Sequence, residues 1–381
     1  MKVGIVTHYY KSINYGGNLQ AYALCKYLNN SGYTAEQISF DKELKKSFAD
    51  NIKFTAKKII KNGLTFLKEP ENALNLKAKA NIKKRKSAIL RFNNKIPHSK
   101  TYNAKTLSLI TDQYDVLITG SDQVWHPFAV CDAYLLKFGA EKTKRISYAA
   151  SVATNVLGEE ITKRYKNALS TFSAISVREE SALDLIQPIA PIKVEHVIDP
   201  TLLFDEKEWE EIATCKKTKE EYVFCYFLGD SVKQRNIVKE FAKKNKIKII
   251  SLPYLQGKIR KCDKNFADEN LYDVSPEELL GLIKNAKYIF TDSFHATVFS
   301  ILFKKEFFVF ERQDVKAMES RILSLLKMFE LKERLCDKDE KLSVEYIKNL
   351  TTIDYSKNFV KFEQMKQKSE EFLNKNLQKE G

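Results

Sequence analysis

Short apolar runs alternate with amphipathic stretches at the start of the chain. Val3–His8 is an apolar run that predicts a strand, and Tyr9–Gly17 is predicted to be a loop. Apolar residues at helical spacing begin at Leu19 and stop at Gly32, and Ala35–Phe40 predicts a second strand. A strand, a loop, a helix and another strand in this order predict a parallel sheet.

The same alternation continues along the rest of the chain and restarts after Pro200. Up to Pro200 the pattern predicts strands at Tyr114–Thr119, Arg145–Ala150, Ala174–Arg178 and Val194–Ile198, and helices at Glu159–Thr171 and Glu180–Ile186. Beyond Pro200 it predicts strands at Tyr222–Phe227, Ile247–Leu252, Tyr288–Asp292 and Phe307–Phe310, and a helix at Phe294–Phe303. Ser275, Pro276 and Glu278 are the N-cap, N1 and N3 residues of a further helix.

These elements predict an α/β fold with two facing Rossmann-like domains. The first domain covers residues 1–200 and the second covers 201–343. Residues from Val344 onward look helical, and we expect this C-terminal helix, about 344–381, to complete the first domain. Ligands of open parallel sheets bind beyond the carboxyl ends of the strands, so the expected site is the cleft between the domains.

A basic helical insertion interrupts the first domain at about residues 41–100. It holds 17 Lys and Arg against 5 Asp and Glu, which accounts for 12 of the 15 net positive charges. Its second part, from Pro70 to about Asn94, is predicted to be helical. A charge this local indicates one anionic surface or partner, and not a nucleic-acid groove through the whole fold.

The first part of the insertion has two interpretations. Apolar residues recur there at helical spacing with lysines between them. The apolar positions are Leu44, Phe48, Ile52 and Ile59, and the lysines are Lys45, Lys46, Lys53, Lys57 and Lys58. An amphipathic basic helix can lie on an anionic membrane. Alternatively, the apolar face packs on the first domain and the lysines are solvated.

Length and composition exclude several classes of protein. At about 100–200 residues per domain, 381 residues suggest two domains. No stretch reaches the roughly 18 consecutive apolar residues of a membrane span, and the N-terminus reads as a strand and not as a signal peptide. We therefore expect a cytoplasmic protein, with peripheral contact at the inner membrane face as the second interpretation of the insertion. The six cysteines are scattered without a C-x-x-C pair, which predicts free thiols and no zinc site.

Two loops at strand ends carry groups suited to sugar hydroxyls. The first runs from Asn14 to Gln20, and the second from Thr119 to Trp125. The amides and the carboxylate can bond hydroxyls, the glycines allow close backbone approach, and a Trp can stack on a pyranose. The candidate acceptor-binding residues are Asn14, Gly16, Gly17, Gln20, Asp122, Gln123 and Trp125. The alternatives are a tight turn for the first loop and a packing Trp for the second.

A third loop places a histidine between a strand and an apolar helix. His295 follows Ser293 at the predicted helix start, where free N–H groups and the helix dipole favour an anion. An imidazole there can transfer protons near neutral pH. Four cationic side chains could bind a phosphate or carboxylate, or could instead form surface ion pairs: Arg178, Arg312, Lys316 and Arg321.

Five motifs together resemble the polysaccharide pyruvyl transferase family. They are Asn14–Leu24, Ile118–Trp125, Ser176–Ser181, Asp199–Leu203 and Thr291–Thr297, and the likeness covers most of the chain except the basic insertion and the tail. The resemblance implies a fold like the two-domain GT-B glycosyltransferases. It also implies His295 as the catalytic residue and Arg178 as a donor-binding residue. Arg312 and Lys316 both fit a further basic position of the family.

The resemblance also implies the reaction and the partners. The donor would be phosphoenolpyruvate, a co-substrate, and the product a pyruvate ketal on a sugar of a surface glycan, with no metal or other cofactor. The acceptor would be a lipid-linked or polymeric glycan, and no nucleic-acid partner is expected. Two alternatives stay open: a GT-B glycosyltransferase that uses a nucleotide sugar, and a noncatalytic glycan-binding protein.

Overall fold

A computed structural model describes residues 1–42, 71–110, 112–214, 220–255, 259–312, 316–336, 343–350, 352–357 and 359–378. The first sheet has five parallel strands in the order β3-β2-β1-β4-β5. They are β1 (Lys2–Val6), β2 (Thr34–Asp41), β3 (His98–Asn103), β4 (Val116–Thr119) and β5 (Lys144–Ser147). A parallel pair, β6 (Ile175–Val177) and β7 (Val194–His196), continues this sheet through bridges at the β5 edge.

The second sheet has six parallel strands in the order β10-β9-β8-β11-β12-β13. They are β8 (Tyr222–Tyr226), β9 (Lys248–Ser251), β10 (Glu269–Asn270), β11 (Tyr288–Thr291), β12 (Glu306–Phe310) and β13 (Leu335–Cys336). The order reverses between β1 and β4 in one sheet and between β8 and β11 in the other. These reversal points are where open α/β sheets bind ligands.

Helices connect the strands and cover the faces of the sheets. The described helices are α1 (Tyr15–Asn30), α2 (Glu71–Asn93), α3 (Glu159–Leu169), α4 (Glu180–Ile186), α5 (Glu206–Ile212), α6 (Val232–Asn245), α7 (Pro276–Asn285), α8 (Phe294–Leu302), α9 (Lys316–Met328), α10 (Val344–Asn349) and α11 (Val360–Leu377). Short 3-10 turns lie at Leu107–Ile110, Pro200–Leu202, Lys261–Asp263 and Lys332–Arg334. The predicted capping box at Ser275 and Glu278 is present at the start of α7.

The structure corrects the expected start of the first helix. Helix α1 begins at Tyr15 and not at Leu19, because the side chain of Asn14 accepts the N–H of Gly17 and caps it. Gly16 and Gly17, expected in a loop, therefore lie in the first turn of α1. Strands β3, β10 and β13 and helices α5, α6 and α9 were not predicted, and the tail is two helices instead of one.

The second part of the basic insertion is a helix, as predicted. Helix α2 buries Ile89 and Phe92 against the core next to α1, and the Phe92 ring lies 5.4 Å from that of Tyr22. Lys95, just after α2, reaches Glu277 of α7 at 2.7 Å. The apolar positions Leu44, Phe48, Ile52 and Ile59, with the lysines between them, lie outside the described residues, so both interpretations of that stretch stay predictions.

The C-terminal helix α11 contacts both halves of the molecule. The hydroxyl of Ser369 accepts the N–H of Ile198 at 3.0 Å, and Phe372 lies against Tyr148. At the other end of α11, the ring of Phe362 stacks on that of Phe329, the residue after α9, with 4.8 Å between the ring centroids. In the described part of the chain, no helix is long and apolar enough to cross a membrane.

Candidate functional site

The carboxyl ends of the two sheets face one cavity of about 360 Å³, here called the central cavity. From the first sheet side it is lined by Ser12, Ile13, Asn14, Tyr15, Gly16, Asp122 and Gln123, and from the second by Tyr226, Leu228, Tyr254, Leu255, Leu279, Ser293, Phe294, His295, Ala296, Arg312 and Arg321. Arg85 of helix α2 also lines it. The structure thus brings together predicted residues from the β1, β4, β11 and β12 ends.

His295 stands in the first turn of α8, directly after the loop that leaves β11. Its side chain is 12% exposed, and Nε2 lies 3.6 Å from Oδ2 of Asp199. The other ring nitrogen, Nδ1, lies against Gly16, where an added Cβ would overlap the imidazole. Gly16 therefore has to be glycine for the ring to occupy this position between the two domains.

Asp199 is fully buried and held by four donors. Its Oδ1 accepts the N–H of Thr201 at 3.0 Å and the hydroxyl of Thr201 at 2.6 Å. Its Oδ2 accepts Nη1 of Arg178 at 2.6 Å and the hydroxyl of Ser121 at 3.1 Å. Burial alone would raise the pKa of Asp199, but His295 and Arg178 outweigh burial and hold this pKa well below its usual value. Asp199 is thus an ionised carboxylate that faces the His295 ring.

Arg178, the expected donor ligand, is buried beside the central cavity and is not part of its lining. Its guanidinium lies 4.5 Å from the ring of Phe294, which does line the cavity. Carboxylates surround it: besides Asp199, Glu179 lies at 3.8 Å and Asp122 at 4.0 Å. These contacts fit a residue that holds Asp199 in place, so direct donor binding by Arg178 stays a prediction that the packing does not favour.

Arg321 is one of the cationic side chains that line the central cavity. It is 5% exposed, and its guanidinium lies 5.9 Å from the ring of Phe294. With the Gln123 carboxamide oxygen turned toward it, that oxygen accepts Nη2 at 2.9 Å and Nη1 at 3.2 Å. Burial and the nearby Arg178 lower the pKa of Arg321 to about 10, so the group is still a cation at neutral pH.

Of the two basic residues that fit the position after β12, Arg312 lines the central cavity. Its methylene groups pack beside Gly229, at the end of β8. Lys316 is the first residue of α9, and its side chain lies outside the described part of the chain.

Asp122 lies at the reversal point of the first sheet. It is buried, and its backbone adopts a φ of +71° directly beyond β4. Burial would raise the pKa of Asp122, but Arg178, with His8, His295 and Arg321, has the larger effect and lowers it. An ionised carboxylate therefore faces the cavity opposite Arg321.

Two of the predicted acceptor ligands, Trp125 and Gln20, are buried and do not line the central cavity. Trp125 is 1% exposed, its indole N–H donates to the carbonyl of Tyr134 at 3.1 Å, and its ring packs against Tyr165 and Phe172. Gln20 is fully buried, and its amide donates to the hydroxyl of Thr7 and to a backbone carbonyl of α1. Both side chains lie in the core of the first domain, and this placement favours the packing role that was the alternative for Trp125.

Gly17 and Ser293 occupy supporting positions. An added Cβ on Gly17 would lie 2.5 Å from the carbonyl oxygen of His8, so this glycine allows α1 to approach the β1 loop. Ser293 lines the cavity as the residue before α8, and its N–H donates to the hydroxyl of Thr291.

Sequence reasoning missed Arg85. It is 3% exposed, and it donates from Nε to the carbonyl of Tyr272 at 3.1 Å and from Nη1 to that of Pro253 at 2.8 Å. These carbonyls belong to the second domain, so α2 carries an arginine across the cleft. Its lysine-rich surroundings, residues 83–86, gave no signal that one of these cations is buried.

Two parallel sheets whose carboxyl ends share one cavity define a GT-B-like α/β fold. The UDP-N-acetylglucosamine 2-epimerase of Methanocaldococcus jannaschii superposes with a TM-score of 0.51 at 13% identity, over 93% of this chain and 94% of that one. A Listeria monocytogenes protein assigned as the same kind of epimerase gives 0.51 at 8% identity, over 96% of this chain and 90% of that one. Identities this low establish the fold alone.

The sequence itself defines the family. The sequence profile of the polysaccharide pyruvyl transferase family matches residues 14–314. The chain therefore belongs to the polysaccharide pyruvyl transferase family. The matched range contains Asn14, Asp122, His295 and Arg312, all of which line the central cavity. Comparison with curated protein sequences gives no match.

Proposed function

We propose that this protein transfers the pyruvyl group of phosphoenolpyruvate to a sugar of a glycan and forms a pyruvate ketal. The observation that carries the proposal is one cavity lined by His295, which lies at a helix N-terminus with Asp199 behind it, and by Arg312 and Arg321. The pair offers an acid, and the arginines offer sites for the anionic groups of the donor.

The charges of phosphoenolpyruvate match the second-domain side of the central cavity. The molecule carries a phosphate and a carboxylate on the same enol carbon. Arg321 and Arg312 can bind these groups through forked N–H donors. The first N–H groups of α8 have no partner within the helix, and the helix dipole favours an anion beside them. The donor would thus lie against α8 with its enol carbon near His295.

The reaction requires one acid and two sugar hydroxyls. A proton moves from His295 to the methylene carbon of the donor, which becomes a methyl group, while one hydroxyl bonds to the enol carbon. The bond from this carbon to the phosphate oxygen then breaks, and the second hydroxyl bonds to the same carbon and closes the ketal. Of the two hydroxyl protons, one returns to His295 and the other leaves with phosphate, so the atoms and charges balance.

The first-domain side of the cavity would orient the sugar. Asp122 is ionised and can accept hydrogen bonds from hydroxyls, and Asn14 lies on the same wall. Because Asp199 faces Nε2 of His295, Nδ1, next to Gly16 on the cavity lining, would exchange protons with the substrates.

Calorimetric titration separates this proposal from its rivals. The wild-type protein should bind phosphoenolpyruvate and show no comparable heat with UDP-N-acetylglucosamine. Tight binding of the nucleotide sugar without binding of phosphoenolpyruvate would indicate a glycosyltransferase. Binding of neither, with binding of glycans, would indicate a noncatalytic glycan-binding protein.

A further inference from the structure

A second cavity opens on the first domain, beside the central one. This lateral cavity has a volume of about 530 Å³, within the usual range for small-ligand sites. Its lining consists of Phe40, Lys42, Ala104, Leu107, Ser108, Phe128, Ala129, Cys131, Asp132, Ala133, Lys137, Phe138, Gly139 and Arg164. It lies at the carboxyl ends of β2 and β3, the same edge of the first sheet at which β4 leads into the central cavity.

Phe128 is the unusual residue of this lining. It is 97% exposed, the highest value among the exposed large apolar side chains of the described residues. Three residues earlier in the same loop, Trp125 is fully packed, so the loop has buried one aromatic ring and presents the other to solvent. An aromatic face at the mouth of a polar cavity can pack against the apolar C–H face of a sugar ring.

The charge of the lateral cavity favours an anionic ligand. Of its lining residues, Lys42, Lys137 and Arg164 are cationic and Asp132 is acidic. Asp132 contacts Arg164 at 2.8 Å and Lys137 at 3.7 Å, so one carboxylate faces two cations. The Nζ of Lys42 lies 4.2 Å from the ring centroid of Tyr134 and donates to the carbonyl of Ala129 at 3.0 Å. The excess positive charge suits a carboxylate or a phosphate.

A series of residues in contact with one another lies between the two cavities. The backbone carbonyl of Gln123, a residue that lines the central cavity, accepts a hydrogen bond from Nε2 of His8 at 3.2 Å. The other ring nitrogen of His8, Nδ1, lies 3.4 Å from the hydroxyl of Tyr134. The ring of Tyr134 in turn makes a cation–π contact with Lys42, which lines the lateral cavity. Along the loop, the ring of Phe128 lies 5.5 Å from that of His126. The two cavities thus adjoin the same group of contacting side chains, His8 and Tyr134.

We propose that the lateral cavity binds an anionic sugar of the glycan acceptor, one or more residues away from the sugar that reacts in the central cavity. Phe128 stacks on this sugar, and Lys137 and Arg164 bind its carboxylate or phosphate. The proposal rests on the proposed transfer to a glycan and assigns the acceptor to an acidic class.

Calorimetric titration with two hexasaccharides tests this site. We expect an acidic one that contains glucuronate to bind at least ten-fold more tightly than a neutral one made of glucose, and this preference should shrink as salt is added. Phe128→Ala should weaken binding of the acidic probe at least ten-fold, and the ring is so exposed that the fold should not change. Lys137→Gln with Arg164→Gln should remove the preference for the acidic probe.

Matched variants on the second domain provide the controls. Val232→Ala, at another exposed apolar side chain, and Lys233→Gln with Lys243→Gln, on the exposed face of α6, should bind both probes as the wild type does. Equal affinity for the two probes, or wild-type binding by Phe128→Ala, would overturn the lateral site. Phosphoenolpyruvate binding is measured in every variant and should not change. Its absence from the wild type would instead contradict the proposed function.

Discussion

His295 and Arg321 line the central cavity. Asp199 and Arg178 lie behind this lining, where Asp199 faces His295 and pairs with Arg178. The sequence could place His295, Asp199 and Arg178 at strand ends or helix starts, yet it could not place Arg321 or order the four residues by depth. Two arginines contact the same Phe294 ring, and only the packing of that ring puts Arg321 in the lining and Arg178 outside it. Depth is a tertiary property, so the local pattern of polar and apolar residues does not contain it.

Gly16 gives a direct test of the His295 position. Gly16→Ala places a methyl group on the imidazole and should displace it, so turnover should fall toward that of His295→Ala, which we expect to lose about 100-fold or more, as for loss of a general acid. Phosphate release from phosphoenolpyruvate in the presence of acceptor measures both variants. Gly158→Ala is the control, because nothing lies within 4 Å of an added Cβ there. Wild-type turnover in Gly16→Ala would show that the ring position is not needed.

Substitution of Arg178 should lower the stability of the fold, whereas substitution of Arg321 should weaken donor binding. Arg178→Ala leaves Asp199 buried without its ion partner and should lower the free energy of unfolding by about 3–5 kcal/mol. Arg321→Met removes a buried cation that Arg178 repels, so its stability should stay close to that of the wild type. The same change should weaken phosphoenolpyruvate binding about 30-fold or more, which corresponds to about 2 kcal/mol.

Denaturant titration and calorimetry measure these two quantities. If Arg178→Ala were as stable as the wild type and had lost donor binding, Arg178 and not Arg321 would be the donor ligand.

Strands and helices with a clear pattern of apolar residues could be predicted from the sequence, whereas the more polar ones could not. The apolar strands β1, β4, β8, β11 and β12 were found within a few residues of their ends. Strand β3 was missed because it is an edge strand that is mostly exposed, so its sequence lacks the alternation of a half-buried strand. Helix α1 was started too late because two glycines looked like a loop, whereas the Asn14 cap includes them in the first turn.

Helix α2 contacts the second domain through Arg85. Arg85→Ala leaves the carbonyls of Pro253 and Tyr272 without their donor at the interface with the second domain, so the free energy of unfolding should fall by about 1–3 kcal/mol. Lys95→Ala, on the same connection, removes an ion pair whose lysine is 63% exposed and should cost about 1 kcal/mol or less. Denaturant unfolding measures both, and equal losses would contradict a specific role for Arg85.

For the whole molecule, the predicted fold class is confirmed. Two parallel sheets face each other across one cavity, as the restart of the alternation after Pro200 indicated. What the sequence could not give is how the sheets meet. Tyr15 donates to the carbonyl of Val274 across the cleft, and Gly16 touches His295 from the opposite domain, although both pairs are more than 250 residues apart in sequence.

Stability should depend on pH through His8, which lies beneath the first-domain wall of the cleft. Burial lowers the pKa of His8 from 6.5 to about 4. The unfolded chain therefore binds a proton between these values that the folded chain does not, and stability falls as the pH drops through this window. Between pH 7 and pH 4.5 the loss from His8 should be about 2–3 kcal/mol.

Denaturant unfolding at the two pH values measures this loss, and in His8→Gln it should be smaller by that amount. Asp199, with its pKa held well below the usual value, adds a loss only at lower pH, below about 3.9. An unchanged pH dependence in His8→Gln would contradict a neutral, buried His8.

The fate of the donor distinguishes pyruvyl transfer from glycosyl transfer. The protein is incubated with phosphoenolpyruvate labelled with ¹³C at its methylene carbon, an unlabelled UDP-sugar, and glycan precursors extracted from the source cells, and NMR spectra are recorded over time. We predict that the methylene signal is replaced by the methyl signal of a ketal on a sugar, that phosphate is released in equal amount, and that His295→Ala slows both changes about 100-fold or more. Consumption of the UDP-sugar with the labelled donor left intact would contradict pyruvyl transfer and identify a glycosyltransferase.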